Sequence, residues 1–203
     1  MENYINYLNF IEEKLNKFFE SQKPFICCKK GCGKCCKNAI FPYSLTEMNY
    51  LLAGMMLLPE EVQDEIAKNV EKTLKAREEF NGEKFRYDCP FLINDECSVY
   101  DYRGVVCRAF GLMTQQKDGI KVPFCCFDGL NYSNVVDYET SKISPGKYEK
   151  LGCKEEPTAF NVSYEFLTNP EFEKEFNFNF GTKKPLIEWF IKPYISFNGC
   201  IHP

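Results

Sequence analysis

Cysteine is the residue of this sequence whose frequency and spacing point most directly to chemistry. The amino-terminal segment has neither the basic start nor the apolar stretch of a signal peptide, and the apolar run Leu51–Leu58 is far too short to span a bilayer. We therefore expect a cytoplasmic protein with no membrane partner, in which clustered cysteines are metal ligands or redox groups rather than disulfides. The 203 residues contain twelve cysteines: Cys27, Cys28, Cys32, Cys35, Cys36, Cys89, Cys97, Cys107, Cys125, Cys126, Cys153 and Cys200.

The first cluster places five cysteines between Cys27 and Cys36. Within it, Cys32-Gly-Lys-Cys35 is a C-x-x-C turn, whose short spacing lets two thiolates converge on one metal. Neighbouring cations favour the thiolate over the thiol and offset the charge of a multi-thiolate centre. Four lysines surround this turn: Lys29, Lys30, Lys34 and Lys37.

The second cluster contains Cys89, Cys97 and Cys107, and its spacing alone is weak evidence for a metal site. Any one of these cysteines could be a small buried apolar side chain, because cysteine is among the most buried residue types. The single histidine, His202, lies beside the carboxyl terminus, so a metal site in this chain must be rich in sulfur.

Together the two clusters resemble the YkgJ-type cysteine-cluster family, a zinc- or iron-chelating domain of the CxxCxxCC type. The resemblance covers about residues 25–127. The matching pieces are Cys32, Cys35 and Cys36, then Cys89-Pro90-Phe91-Leu92, then Cys97-Ser98-Val99-Tyr100, and finally Arg103 with Cys107-Arg108.

Two positions depart from the family pattern. Cys28 stands four residues before Cys32 instead of three, and its neighbour Cys27 is a rival, so the choice between these two cysteines stays open. Gly104 stands where the family usually has a proline after Arg103, which alters the local loop geometry.

The resemblance implies a metal centre of zinc or iron, or an iron–sulfur cluster. One tetrahedral ion needs four thiolates, two ions that share one thiolate need seven, and a four-cysteine iron–sulfur cluster would leave three of the seven over. Adjacent cysteines rarely chelate one ion but can reach two, which favours a multinuclear centre. The implied ligands are Cys28, Cys32, Cys35, Cys36, Cys89, Cys97 and Cys107.

Arg103 and Arg108 flank Cys107 and are the candidate cofactor-binding cations. They could donate hydrogen bonds to sulfur or hold an anionic substrate, or they could pair with acids such as Asp95, Glu96 or Asp101. Cys125 and Cys126 could complete the centre or belong to the core. We expect Cys153 and Cys200 to be structural or free.

The elements that must position these residues are mainly helical. Apolar spacing predicts a helix over Tyr4–Phe19, a second from about Leu45 to Leu57 with a capping box of Ser44 and Glu47, and a third over Glu60–Phe80 that Asn81-Gly82 ends. Turn signals at Asn94-Asp95 and Asp118-Gly119 interrupt an irregular region, in which Gly119–Phe124 could be a hairpin strand. Trp189 lies in a helix-like piece, Pro185–Tyr194.

We therefore predict a mainly α fold with irregular metal-tied loops and a small β-hairpin, an α+β fold with a small sheet. Residues 1–155 would form the cysteine-cluster domain and residues 156–203 a helical appendage packed on the same core. The net charge of −4 and the pI of about 5.3 argue against a nucleic-acid partner.

The favoured function is binding of a thiolate-ligated metal in metal handling or redox chemistry. An iron-dependent enzyme that modifies a protein or small molecule is an alternative, because flagellin lysine methylases carry a similar cysteine block. A metal-free thiol–disulfide protein is the other alternative.

Overall fold

The fold is mainly α with small antiparallel two-stranded sheets, as predicted. A computed structural model describes residues 1–38, 40–117 and 119–191. The helices are α1 (Glu2–Ser21), α2 (Leu45–Met55), α3 (Glu60–Glu79), α4 (Val105–Ala109), α5 (Pro145–Lys150), α6 (Tyr164–Leu167) and α7 (Pro170–Phe176), with 3-10 helices at Lys34–Asn38, Tyr100–Tyr102, Phe124–Asp128 and Leu186–Phe190. The strands are β1 (Pro42–Ser44), β2 (Leu92–Ile93), β3 (Glu96–Cys97), β4 (Thr114–Gln116), β5 (Gly119–Lys121), β6 (Val136–Asp137), β7 (Lys142–Ile143) and β8 (Lys183–Pro185).

The chain divides into two compact units. The first unit comprises Met1, Lys30–Gly104 and the described part of Asn179–Pro203, and the second comprises Glu2–Lys29 and Val105–Phe178. The boundary between residues 155 and 156 that the sequence suggests stays a prediction.

In the first unit, local sequence signals determine where α2 and α3 begin. The Ser44 side chain accepts a hydrogen bond from the Glu47 backbone N–H, and the Glu47 carboxylate accepts one from the Ser44 N–H, which confirms the predicted capping box. Pro59 precedes α3 and Phe80, in extended conformation, ends it. α3 packs against the 3-10 helix Leu186–Phe190.

Strand β1 pairs with β8 in the first unit, a long-range pairing that the sequence did not predict. The Trp189 indole N–H donates to the Tyr43 carbonyl oxygen over 3.1 Å and fixes the segment after β8. The predicted helix-like piece Pro185–Tyr194 is therefore a strand end and a short 3-10 helix, and residues 192–194 lie outside the described part of the chain.

In the second unit, α1 buries one face against α7 and α4. The predicted periodicity is confirmed, since the buried side chains of α1 are Tyr4, Tyr7, Leu8, Ile11 and Leu15. The Tyr7 ring lies 5.3 Å from Phe172 and 5.6 Å from Phe176, so aromatic packing joins the two helices. A separate apolar cluster is formed by Phe25, Met113, Val122, Cys126, Tyr132, Val135 and Val136.

Two predicted turns are visible as hairpins. Strands β2 and β3 are joined by Asn94 and Asp95, which have positive φ of 50° and 63°, as two-residue hairpin turns require. Strand β4 pairs with β5, so a hairpin strand does begin at Gly119 as predicted, but it ends at Lys121, and Phe124 instead begins a 3-10 helix. Asp118 lies outside the described residues.

Candidate metal centre

The C-x-x-C block of the first unit leads into a short 3-10 helix. Cys35 and Cys36 lie in the 3-10 helix Lys34–Asn38, Cys32 comes just before it, and all three side chains are half-buried. The Cys36 N–H donates to the Gly33 carbonyl oxygen over 3.0 Å and closes the turn. The two adjacent cysteines are thus held on one tight turn.

Cys35 is surrounded by other thiols. Its sulfur lies 3.9 Å from the sulfur of Cys36. The pKa of Cys35 is raised far above its ordinary value, first by the hydrogen bond with Cys36, then by burial, and then by the charges of Cys36 and Cys32. Like charges raise a thiol pKa only at short range, so these three cysteines share one environment.

Cys97 joins this group from strand β3. Burial is the main cause that raises its pKa, and the charge of Cys35 raises it further. A hydrogen bond from the Val99 backbone N–H and the charge of Arg103 act in the opposite direction. Within the first unit, Cys35 of the first cluster and Cys97 of the second therefore act on one another.

Cys89 is tied to the same turn through the backbone. Its N–H donates to the Cys36 carbonyl oxygen over 2.7 Å, and its own carbonyl accepts from the Leu92 N–H over 2.9 Å. Five of the seven predicted ligands, namely Cys32, Cys35, Cys36, Cys89 and Cys97, belong to this unit.

The β2–β3 hairpin packs closely on the C-x-x-C turn. A Cβ atom at Gly33 would collide with the Asp95 carbonyl oxygen and lie 2.8 Å from a Leu92 methyl carbon. The Lys37 ammonium forms a 2.5 Å ion pair with the Asp95 carboxylate, whose pKa is lowered by that hydrogen bond and charge. Glycine at position 33 therefore lets the two loops approach.

Arg103 is a cation whose charge acts on Cys97. Its guanidinium lies 3.5 Å from the centre of the Tyr100 ring, and its charge lowers the pKa of Cys97. The Lys30 ammonium lies 5.3 Å from the same ring. A cationic environment of this kind stabilises thiolates.

The donor set of the first unit fits a thiophilic metal. With metal–sulfur bonds of about 2.3 Å, two ligands of a tetrahedral ion lie about 3.8 Å apart, close to the observed 3.9 Å between Cys35 and Cys36. Across residues 1–38, 40–117 and 119–191, no three Cys, His, Asp or Glu side chains already form an arrangement that could hold an ion.

The remaining predicted site residues, Cys28, Cys107 and Arg108, belong to the second unit. The Cys28 sulfur lies 3.8 Å from the Phe110 carbonyl oxygen. Cys107 is half-buried on α4. The Arg108 guanidinium is buried and forms a 3.0 Å ion pair with Glu12 of α1, an acid that the sequence did not single out.

The other cysteines of the second unit include two buried ones, Cys125 and Cys126. Cys126 lies in the apolar cluster, where burial raises its pKa, and Cys153 packs against that cluster. Cys125 is also buried. Burial is the main cause that raises the pKa of Tyr132, to which the charges of Cys125 and Cys28 add. Cys200 and His202 lie outside the described residues.

Asn131 is a polar residue of this region that sequence reasoning missed. It is 1% exposed, and its side chain bonds both to Cys27 and to the Gly111 carbonyl oxygen. Its segment of the chain is polar and turn-rich, so no local pattern marks it out.

Within the described residues, none of the helices is long and apolar enough to cross a membrane. The eleven described cysteines are thiols, not disulfides.

No curated protein and no solved structure matches the chain. Residues 27–126 match a family whose description reads "CxxCxxCC: Putative zinc- or iron-chelating domain". This segment, which holds both cysteine clusters, belongs to the CxxCxxCC family of zinc- or iron-chelating domains.

Proposed function

We propose that the chain binds zinc or an iron centre through the thiolates of Cys32, Cys35, Cys36 and Cys97, and that it serves in metal handling or redox chemistry. Cys89 is the fifth candidate ligand of the same unit. The observation that carries this proposal is the 3.9 Å separation of the Cys35 and Cys36 sulfurs on a turn against which the hairpin that carries Cys97 packs at Gly33. A bound zinc would fix these loops, whereas a bound iron centre would carry an electron.

The grouping of thiols around Cys35 supports a multi-thiolate metal site. The Cys35 sulfur lies 3.9 Å from the Cys36 sulfur, and the pKa of Cys35 is raised by the hydrogen bond with Cys36, by burial, and by the charges of Cys36 and Cys32. A metal cation bound to these sulfurs would neutralise thiolates that otherwise repel one another.

The number of metals follows from the number of thiols that take part. Four thiolates of the first unit are enough for one tetrahedral ion, while a bridged pair of ions would need all seven predicted cysteines. The multinuclear arrangement stays a prediction that the measured metal content tests. We place the protein in the cytoplasm, because a reducing compartment keeps thiols available for metal.

Elemental analysis and an optical spectrum of the anaerobically purified full chain test the proposal. We expect bound zinc in colourless protein, or bound iron with visible absorption from sulfur-to-iron charge transfer. Cys35→Ser should lose metal, whereas Cys153→Ser, which changes a thiol packed on the apolar cluster, should retain it. Wild-type protein that binds neither zinc nor iron after anaerobic loading would refute the proposal, as would equal metal loss in both variants.

A further inference from the structure

The segment Cys89–Leu92 of the first unit is docked on the C-x-x-C turn at both of its ends. The Cys89 backbone N–H donates to the Cys36 carbonyl oxygen over 2.7 Å. At the other end, a Leu92 methyl carbon lies so close to Gly33 that a Cβ atom added there would be 2.8 Å from it. The position of this segment therefore bears directly on the turn that carries the first cysteine cluster.

Between these two contacts, a side chain from helix α3 holds the segment. The side-chain nitrogen Nδ2 of Asn69 donates to the Pro90 carbonyl oxygen over 3.2 Å. A carbonyl oxygen can only accept a hydrogen bond, so this partner assigns the nitrogen of the amide, and not its oxygen, to the contact. Proline has no backbone N–H, so its carbonyl is the backbone group through which Pro90 can be held.

The burial of the segment makes this hydrogen bond important. Pro90 is buried, and the Phe91 that follows it is 1% exposed. A carbonyl removed from water costs free energy unless a donor satisfies it. The Phe91 ring lies 6.3 Å from that of Phe190, and α3 packs against the same 3-10 helix, Leu186–Phe190. Apolar packing and the Asn69 amide therefore act together to hold the segment beside α3.

Helix formation does not explain an asparagine at this position of α3. Asparagine is a weak helix former, because its side chain competes for backbone hydrogen bonds. The buried side chains of α3 are Ile66, Val70 and Thr73. Asn69 is half-buried beside them, three residues after the first and four before the last, so it shares their face of the helix. An amide on that face needs a polar partner, and the Pro90 carbonyl provides it.

We propose that Asn69 is a positioning residue of the metal centre, which fixes the segment Cys89–Leu92 against the C-x-x-C turn through the Pro90 carbonyl. This inference rests on the proposed thiolate metal function, and it adds a residue that belongs to none of the cysteine motifs. Asn69 acts through the main chain and does not itself touch the metal. Groups that orient metal ligands from outside the ligand set contribute to affinity in this way.

Zinc affinity of the anaerobic full chain, measured by competition with a chromophoric chelator, tests the assignment. Asn69→Leu keeps the approximate shape and the net charge, removes the donor and favours the helix. We expect it to lose at least about tenfold in zinc affinity, the lower end of the 10–100-fold cost of removing groups that support metal ligands. If the wild type binds zinc and Asn69→Leu binds it equally well, the inference is overturned.

Gln63→Met is the matched control on the same helix. The Gln63 side-chain nitrogen donates to the Leu58 carbonyl oxygen over 2.8 Å, in the turn between α2 and α3. The control therefore removes an amide donor from α3 without altering the net charge, as Asn69→Leu does. It should retain wild-type zinc affinity even if it shifts the urea midpoint by as much. Equal losses of zinc affinity in the two variants would reveal a general structural effect and overturn the inference.

The backbone amide of Cys89 gives a readout that needs no metal. In the metal-free full chain, hydrogen exchange of this N–H reports how often the segment separates from Cys36. Asn69→Leu should accelerate the exchange roughly 2- to 12-fold, as the loss of one hydrogen bond predicts, and Gln63→Met should not. Equal exchange in the wild type and Asn69→Leu would overturn the inference even if zinc affinity falls.

Failure of the proposed function is distinguishable from failure of this inference. A wild-type chain that binds no zinc, but in which Asn69→Leu accelerates exchange at Cys89, would refute the proposed function and the metal role of Asn69 while leaving its hold on the segment intact. A wild-type chain that binds zinc, with unchanged affinity in Asn69→Leu, would refute only the positioning role.

Discussion

The backbone N–H of Cys89 donates to the carbonyl oxygen of Cys36 over 2.7 Å. This single bond joins the segment Cys89–Leu92 to the C-x-x-C block, although α2 and α3 lie between them in the sequence. Because the bond is made by the main chain, it positions both loops regardless of the state of the thiols. A backbone hydrogen bond therefore holds these two segments of the candidate centre together.

The close packing of Gly33 on the β2–β3 hairpin predicts a cost for Gly33→Ala. The added methyl would collide with the Asp95 carbonyl oxygen, which is backbone and cannot rotate away. We expect a loss of about 1–3 kcal/mol in the free energy of unfolding, the usual cost of overpacking, with weaker zinc binding. Urea denaturation and chelator competition measure the two effects.

Gly146→Ala is the matched control for that change. Nothing lies within 4 Å of a Cβ at Gly146, which is in α5. Alanine there should be neutral or stabilise by up to about 1 kcal/mol, because it favours the helix. Equal destabilisation in both variants would contradict the packing argument.

Arg103 should affect metal affinity through Cys97. Its positive charge lowers the pKa of that thiol, so Arg103→Gln removes a group that favours the ligating form. We expect a loss of about 10–100-fold in zinc affinity, typical for groups that support metal ligands. The zinc affinity of Arg103→Lys should lie between those of the wild type and Arg103→Gln, since lysine retains the charge but loses the planar stacking on Tyr100.

Arg86→Gln is the control for the charge itself, because Arg86 is an exposed arginine of the same unit. It should leave zinc affinity unchanged. If Arg103→Gln reduces stability but not zinc affinity, Arg103 supports only the fold.

The helices were predictable because their signals are local. The capping box of Ser44 and Glu47 lies at the start of the helix that it caps. The apolar residues of α1 and α3 recur at helical spacing within those helices themselves. The β1–β8 pairing joins Pro42–Ser44 to Lys183–Pro185, and no short stretch of sequence encodes which distant strand will be the partner.

The sulfur chemistry of the candidate ligands was predictable, but which of these cysteines belong to each unit was not. Clustered cysteines and the C-x-x-C spacing indicate sulfur ligands from residue types alone. Which thiols share an environment depends on tertiary packing, as the proximity of Cys35 to Cys97 illustrates. Asn131 belongs to no motif, and its hydrogen bonds with Cys27 and Gly111 are visible only in the folded structure.

The ion pair between Arg108 and Glu12 predicts a structural role for Arg108. Removing one partner of a buried ion pair leaves the other charge unpaired, which destabilises the fold. Here Glu12 is 44% exposed, so solvation by water reduces that loss of stability. A double-mutant cycle with Arg108→Met and Glu12→Gln should give a coupling of about 1–2 kcal/mol in the free energy of unfolding.

The exposed pair of Lys17 and Glu13 on the same helix provides the reference cycle. Both side chains are about two-thirds exposed, so their coupling should stay below about 0.5 kcal/mol.

The zinc affinity of folded Arg108→Met should equal that of the wild type. A selective loss of zinc affinity would instead assign Arg108 to the metal centre.

Gly104 occupies the position of the family's usual proline, and Tyr43 and Glu47 explain why glycine fits here. A Cβ at Gly104 would lie 2.8 Å from the Glu47 carboxylate and 2.9 Å from the Tyr43 ring, and both side chains are fully buried. The Gly104 N–H also donates to the Tyr43 hydroxyl over 3.0 Å. Gly104→Ala should therefore cost about 1–3 kcal/mol in the free energy of unfolding.

Gly104→Pro should cost more than Gly104→Ala, because proline has no N–H to donate to Tyr43. The additional loss should be about 0.5–1.5 kcal/mol, the net value of one hydrogen bond. Repeating both changes in a Tyr43→Phe background isolates that bond, since the acceptor is then absent. The difference between alanine and proline should shrink toward zero in urea denaturation, and an unchanged difference would show that ring strain, not the lost hydrogen bond, disfavours proline here.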